Sequence, residues 1–211
     1  MSDSTLEAQR RMRVYYQARA REYDDWWLGT GLFADIERPG WAQEVAELRT
    51  IVACLPPARV LDVACGTGFL TQHLAGSVVG LDQSEDMLAI AAPRLLPGRV
   101  VCARALPLPF GDGDFERVFT SHFYGHLLPE ERADFLIEAA RVAGELVVVD
   151  SARREGVAPE QWQQRVLGDG SRHEVYKRYF DAGELAEEIG GARVLHEGRW
   201  FVAVARERPC N

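Results

Sequence analysis

Two stretches of this 211-residue chain hold residue types whose spacing could do chemistry. The first is Arg59-Val-Leu-Asp-Val-Ala-Cys-Gly-Thr-Gly68, with Asp82 fourteen residues further on. A short apolar run ending in Gly66-Thr67-Gly68 reads as a buried strand entering a tight turn, since glycine accepts φ > 0 and lets backbone approach a ligand closely. A helix is expected from Phe69 (Phe-Leu-Thr-Gln-His-Leu-Ala-Gly), its free N–H groups facing whatever lies above the strand. Asp82 closes a second apolar strand, Val78-Val-Gly-Leu-Asp82, and a carboxylate at that tip can accept both ribose hydroxyls of an adenosine. The second stretch is His122-Phe-Tyr-Gly-His126. Histidine titrates near neutral pH, so His126, His122 and Tyr124 are candidates to take a proton from a reacting group. Against that stands the plainer reading, in which these side chains only pack or bond backbone.

The elements that must position these residues follow from the pattern. Residues 5–24 read as a charged helix carrying Tyr15, Tyr16, Arg19 and Tyr23, and Trp26 and Trp27 precede a Gly29-Thr-Gly31 turn. Trp41, Val45, Leu48 and Val52 recur at helical spacing and predict a helix over 41–54 that packs on a sheet and is stopped by Pro56-Pro57. Ser84 can cap a helix that begins Glu85-Asp86-Met87. Further strands are predicted over 99–105, 117–121 and 144–150, a helix over 129–142, and a helix over 180–189 capped by Asp181 and ended by Gly190-Gly191. Residues 193–198 and 200–206 alternate as an antiparallel pair. Residues 152–178 form an insertion rich in charge and aromatics, offering Trp162, Arg165, His173, Tyr176 and Arg178 toward a substrate, or else a solvated hairpin or short helix. The sum is a single α/β domain over 1–211, a three-layer sandwich on a seven-stranded, mostly parallel sheet, with residues 1–55 as an N-terminal cap.

Which adenosine ligand fits is decided by the turn. A dinucleotide fingerprint G-x-G-x-x-G would place a third glycine at 71, where this chain has Thr71, so NAD is disfavoured. Asp62, Ala64-Cys-Gly-Thr-Gly68, Leu81-Asp-Gln-Ser84 and Met87-Leu88 together resemble the class I S-adenosylmethionine (SAM)-dependent methyltransferases. The likeness is strongest to the bacterial small-molecule type that includes the ubiquinone and menaquinone methyltransferases. It implies a Rossmann-like fold, SAM as cofactor, and transfer of a methyl group to an O, N or C nucleophile of a small molecule. It further implies cofactor contacts from Tyr15, Tyr23, Asp62, Ala64, Gly66, Gly68, Asp82, Gln83, Met87, Ala105, Leu106 and Ser121. A tyrosine-bearing N-terminal lid over the pocket would put Tyr16 toward the acceptor, with Trp27 from the loop edge and His173 and Tyr176 from the insertion as further substrate-facing candidates. The chain departs from the pattern at Arg104, where family members often carry an acidic residue facing the adenine amino group. Arginine has no acceptor, so the backbone of Ala105 and Leu106 must recognise the ring edge, with Arg104 free to stack on it.

Composition narrows the partners. A net charge of -8 and a pI near 5.2 argue against a surface that tracks phosphates, and hence against RNA as the acceptor. A protein or RNA methyltransferase, or a SAM-binding module without catalysis, remain the alternatives. Lys177 is the only lysine among the 24 Lys and Arg residues, a skew read as genome composition. Cys54, Cys65, Cys102 and Cys210 show no CxxC or His-linked spacing, so no metal site is expected; they read as reduced, mostly buried thiols. No secretory h-region and no run of membrane-spanning length occur, which predicts a cytoplasmic protein with no membrane partner.

Overall fold

The computed structural model of the chain describes residues 3–207. Its frame is a sheet of five parallel strands: β1 (Ala58–Val63), β2 (Gly76–Asp82), β3 (Arg99–Cys102), β4 (Arg117–Ser121) and β5 (Glu145–Ser151). The remaining strands in chain order are β6 (Glu160–Val166), β7 (Arg172–Arg178), β8 (Arg193–Glu197) and β9 (Phe201–Glu207). The spatial order is β3-β2-β1-β4-β5-β9-β8, with β9 antiparallel to both neighbours. That is the seven-stranded α/β sheet the pattern predicts. The order reverses between β1 and β4, and ligands of such sheets sit beyond the carboxyl ends of the strands at that reversal.

Two helical layers cover the sheet. On one face, α3 (Trp41–Ala53) buries Trp41, Val45, Leu48 and Val52 against Val60, Phe119, Val147, Val149 and Ala203. On the other, α5 (Pro129–Val142) and α6 (Ala182–Glu188) bury Phe135, Ala139, Val142 and Leu185 against Leu61, Val63, Val118, Leu146 and Val148. Each inward apolar side chain contributes on the order of 1.5–3 kcal/mol relative to exposure, so these stripes hold the layers together. The caps read from sequence are present. Ser84 Oγ accepts the Met87 N–H at the start of α4 (Glu85–Ala91), and Asp181 Oδ1 accepts from Gly183 and Glu184. At the N-terminus, α1 (Asp3–Arg19), a 3-10 turn (Ala20–Glu22) and α2 (Tyr23–Leu28) lead toward α3.

Three expectations are corrected. No α-helix follows Gly68; the segment carries only a 3-10 turn, Thr71–His73. Phe69, Leu70 and Leu74 are instead drawn into the core beneath α3, with Phe69 stacked on Trp27 at 4.8 Å and Thr71 Oγ1 donating to Asp62 Oδ2 at 2.5 Å. The insertion is a hairpin, β6 and β7 forming a separate two-stranded sheet, and its inner face is buried rather than solvated: Val175 and Lys177 are almost inaccessible. Of the cysteines, only Cys65 is buried while Cys54 and Cys102 are exposed, and Cys210 lies outside the described residues. Among the described residues, no helix is long and apolar enough to cross a membrane.

Candidate functional site

A cavity of about 120 Å³, partly open to solvent, lies over the carboxyl ends of β1, β2 and β4. Two residues that line it, Ala64 after β1 and His122 after β4, have φ of 60° and 53°. These are the non-glycine residues with positive φ among the described residues, and backbone held in that region costs energy that is retained chiefly at functional sites. Gly66, also with positive φ, presents its bare Cα to the Tyr23 ring, 3.6 Å from where a Cβ would stand. The narrow space there is a cradle that a side chain would fill.

Asp82 anchors the cofactor end. Its Oδ2 accepts the Gly66 N–H and its Oδ1 the Ser84 N–H, both at 2.9 Å, so the carboxylate is fixed in the cavity wall with lone pairs to spare. Burial raises its pKa, and the N–H donors from Ser84 and Gly66 pull it back. Asp62, one strand inward, is pushed up to about 8, mainly by burial. Its Oδ2 is satisfied by Thr71, and its buried Oδ1 has no partner. The N-terminal segment is tied across the mouth. Asp24 accepts from Thr67 Oγ1 and from Arg94, both at 2.6 Å, and Gln17 donates to Asp86 at 2.7 Å.

At the far end stand the histidines. His126 has both ring nitrogens engaged. Nδ1 meets the Tyr176 carbonyl at 2.6 Å, which assigns the proton to Nδ1, and Nε2 therefore accepts the Tyr16 hydroxyl at 2.8 Å. His122 is packed against Trp26, Trp27 and Phe201, its Nδ1 3.3 Å from Ser151 Oγ and 3.7 Å from Asp150 Oδ1. Its buried Nε2 has no partner. Burial, reinforced by Lys177, pushes both imidazoles well below the ordinary histidine value, so both are neutral. Burial drives the Tyr16 and Tyr23 phenols upward.

The cavity brings together most of the residues named from sequence: Tyr16, Tyr23, Ala64, Gly66, Asp82, Gln83, Met87, Ala105, Leu106, Ser121, His122, His126 and Tyr176 all line it. Others lie elsewhere. Tyr124 is wholly buried against Phe135 and Phe180, with its hydroxyl on Glu188, so it is a core residue out of reach of the cavity. Tyr15 packs with Leu167 and Val175 under the hairpin, because neighbouring Tyr15 and Tyr16 project from different sides of α1. Trp27 fills the core between Phe69 and Phe201. His173 lies against the Tyr15 ring at 5.4 Å and meets Ser171, away from the cavity. Gly68 faces Ala91 and Leu95, so its missing Cβ serves packing of the turn on α4. Asp62 supports the turn through Thr71 and does not line the cavity. Lining residues not named from sequence include Met12, Phe123, Leu128 and Glu131. The sequence pattern carries no signal for them, since Met12, Phe123 and Leu128 read as ordinary apolar packing and Glu131 as a first-turn acid that caps α5. Arg104 does line the cavity.

The comparisons with known proteins agree with this geometry. A family described as "Methyltransferase domain" matches residues 60–145. A demethylmenaquinone methyltransferase of Thermotoga maritima is 33% identical over 118 residues, 52% of this chain and 49% of the relative. The chain spans about half the length of the first curated relatives it matches, or less. Solved structures match end to end. One described as "DhpI-SAH complex structure" is 27% identical with a TM-score of 0.72, covering 100% of both chains. The "DhpI-SAM-HEP complex" is 25% identical with a TM-score of 0.75, covering 98% of this chain and 99% of that one. A [4+2]-cyclase, SpnF, shares the fold at TM-score 0.59 and 19% identity, covering 82% and 85%, so the fold by itself does not fix the reaction. With the glycine turn, the acidic strand tip and the matched methyltransferase domain over residues 60–145 in agreement, the chain is similar to the class I SAM-dependent methyltransferases.

Proposed function

We propose that this protein transfers a methyl group from SAM to a nucleophile of a small molecule. The observation that carries the reading is that one cavity joins the fixed Asp82 carboxylate to His122 and His126. The residues present fit the cofactor: Asp82 can accept ribose hydroxyls, Met87 and Leu106 offer apolar contact to a base, and the Gly66 cradle admits backbone-close binding. Arg19, buried with an unpartnered Nη2 and lying over the Tyr23 ring at 4.9 Å, suits the carboxylate of the amino-acid moiety. When bound, SAM supplies a methyl on a cationic sulfur; the acceptor's bond to carbon forms as the carbon–sulfur bond breaks, and the electron pair stays on sulfur in S-adenosylhomocysteine.

The chain's own contribution is alignment and, for a protonated nucleophile, a base. The geometry favours His122 over His126 for that role. The Nε2 lone pair of His126 is already taken by Tyr16, whereas that of His122 is free and His122 faces the cavity. With Nδ1–H turned to Ser151, His122 can accept a proton at Nε2 while Asp150 faces the resulting cation from 3.7 Å. The lid and the apolar walls exclude water from the transfer.

Isothermal titration with SAM, S-adenosylhomocysteine and NAD, followed by transfer of labelled methyl to a panel of small molecules, tests the reading. Binding of SAM but not NAD, with labelled product, is expected. No SAM binding overturns it, and binding without transfer to any acceptor favours a binding module. His122→Ala is expected to lower kcat by roughly 10²–10⁴ with SAM affinity unchanged. The lowered pKa puts the acid limb of the wild-type rate below pH 6.5, since only neutral His122 can act.

A further inference from the structure

Beneath the loop that carries the two histidines lies one buried ion pair, and one half of it comes from the hairpin. Lys177, on β7, is 3% exposed and its Nζ donates to Asp150 Oδ1. Asp150, on β5, is inaccessible to solvent, and its two oxygens serve different neighbours. Oδ2 accepts the Gly125 N–H at 2.8 Å, from within the His122–His126 loop. Oδ1 accepts the Ser151 N–H at 2.7 Å besides the Lys177 ammonium. A carboxylate oxygen offers about two lone-pair sites, so Oδ1 is filled. The third group turned toward it, His122 Nδ1, stops at 3.7 Å, outside hydrogen-bond distance. It lies closer to Ser151 Oγ, at 3.3 Å.

The backbone leaves room for this arrangement. A Cβ on Gly125 would stand 3.0 Å from both Lys177 Nζ and Asp150 Oδ1, and 2.7 Å from the Arg178 carbonyl oxygen. The slot between loop and strand therefore holds the end of the lysine and nothing more. Every other basic position of the 24 Lys and Arg residues is arginine, so this slot is where the chain uses the compact cation in place of the planar one. The same strand holds the far end of the loop, its Tyr176 carbonyl meeting His126 Nδ1 at 2.6 Å. Around His122 the rings of Trp26 and Trp27 from α2 and Phe201 from β9 carry no charge. Arg19, at the end of α1, acts on it as a further cation. Among the described residues Asp150 is the one carboxylate within 4 Å of this imidazole, and Lys177 sits on the oxygen nearest to it.

We infer that Lys177 is a positioning residue for His122: by filling Asp150 Oδ1 it keeps the carboxylate from closing on the imidazole, which stays turned to Ser151 with Nε2 open to the cavity. With Lys177 removed, the vacated lone pair would take the His122 Nδ1–H across a short gap. An imidazole bonded to a buried carboxylate holds a second proton more tightly, and a proton kept on Nε2 removes the lone pair that a base needs. The lowered pKa of wild-type His122 has burial as its main cause and Lys177 as its next, in the direction this arrangement requires. The inference rests on His122 as the base of a methyltransferase, but its test reads the imidazole directly and needs no turnover.

Protein labelled in its histidine rings and saturated with S-adenosylhomocysteine is titrated with acid by NMR, the His122 signals being assigned by their loss in His122→Ala. The wild type is compared with Lys177→Met and with Asp150→Asn/Lys177→Met. In Lys177→Met the proton affinity of His122 should rise about tenfold or more, and the acid limb of the methyl-transfer rate should move to higher pH with it. In the double variant, which removes both charges of the buried pair, the affinity should stay within about threefold of wild type. An unchanged His122 titration in folded Lys177→Met overturns the inference and leaves the lysine a purely structural role. An equal rise in the double variant also overturns it, because the effect would then not run through Asp150. Should Lys177→Met fail to fold, the double variant and the wild type decide. A far-downfield Nδ1–H resonance of His122 in the wild type would mean that the carboxylate holds the imidazole despite Lys177, against the inference; its absence, with the double variant titrating like wild type, upholds it. Failure of S-adenosylhomocysteine to bind leaves the His122 titration intact and instead defeats the reading of the cofactor site.

Discussion

Asp82 and Asp62 are both buried acids at the ends of neighbouring strands, yet the structure gives them different work. Asp82 spends one lone pair on Gly66 and one on Ser84, and its remaining acceptors face the cavity. Asp82→Ala should therefore weaken SAM binding by roughly 1–3 kcal/mol, the cost of leaving hydrogen-bonding groups unpaired, read by isothermal titration of the folded variant. Unchanged affinity would remove Asp82 from the site. Both positions were legible in the sequence because an acid in an apolar strand stands out against its neighbours. His122 was legible as a histidine but not as the one with a free lone pair. That distinction depends on Tyr16 reaching across from α1, 106 positions earlier than His122, to occupy His126. Lys177 is legible only as a lone lysine, because composition does not show that it is buried beside Asp150.

At the scale of elements, the sheet and its two main helical layers follow directly from period-2 and period-3.6 patterns, and they appear where those patterns lie. The misread segment was Phe69–Gly76, whose apolar residues look helical but serve α3 and Trp27 instead. Tertiary packing overrode local propensity there. The N-terminal segment shows the opposite case, a polar helix with weak periodicity that is held by specific ties. Asp24 ties the segment to the glycine turn at Thr67 and to Arg94 after α4, which itself donates to the Thr67 carbonyl at 3.1 Å. Asp24→Ala should thus free the lid: S-adenosylhomocysteine should dissociate several-fold faster in stopped-flow fluorescence, with a smaller change in association rate. Equal dissociation rates would mean the ties are incidental to retention. The hairpin β6–β7 was legible only as an insertion, since strands of alternating charge and aromatic residues do not reveal which face is covered.

For the whole molecule, stability should depend on pH in two opposed ways. His122 and His126 have folded pKa values below their unfolded ones, so their contribution is present above about 6.5 and is lost as pH falls below it. Asp62 has the opposite sign. Its folded pKa of about 8 exceeds the ordinary carboxylate value of 3.8, so its contribution is complete at acid pH and is lost as pH rises through 8. Asp62→Asn, permanently neutral and still able to accept from Thr71, should raise the melting temperature at pH 8–9 and narrow the gap to pH 6. A variant no more stable than wild type at pH 9 would show that Asp62 ionises freely in the fold. The burial of Lys177 has one more consequence. Because no other lysine exists in the chain, an amine-acylating reagent meets a single side-chain target, and the fold shields it to 3% exposure. Modification of that amine, or cleavage after it by a lysine-specific protease, becomes a one-site clock for how often the hairpin lifts from Asp150.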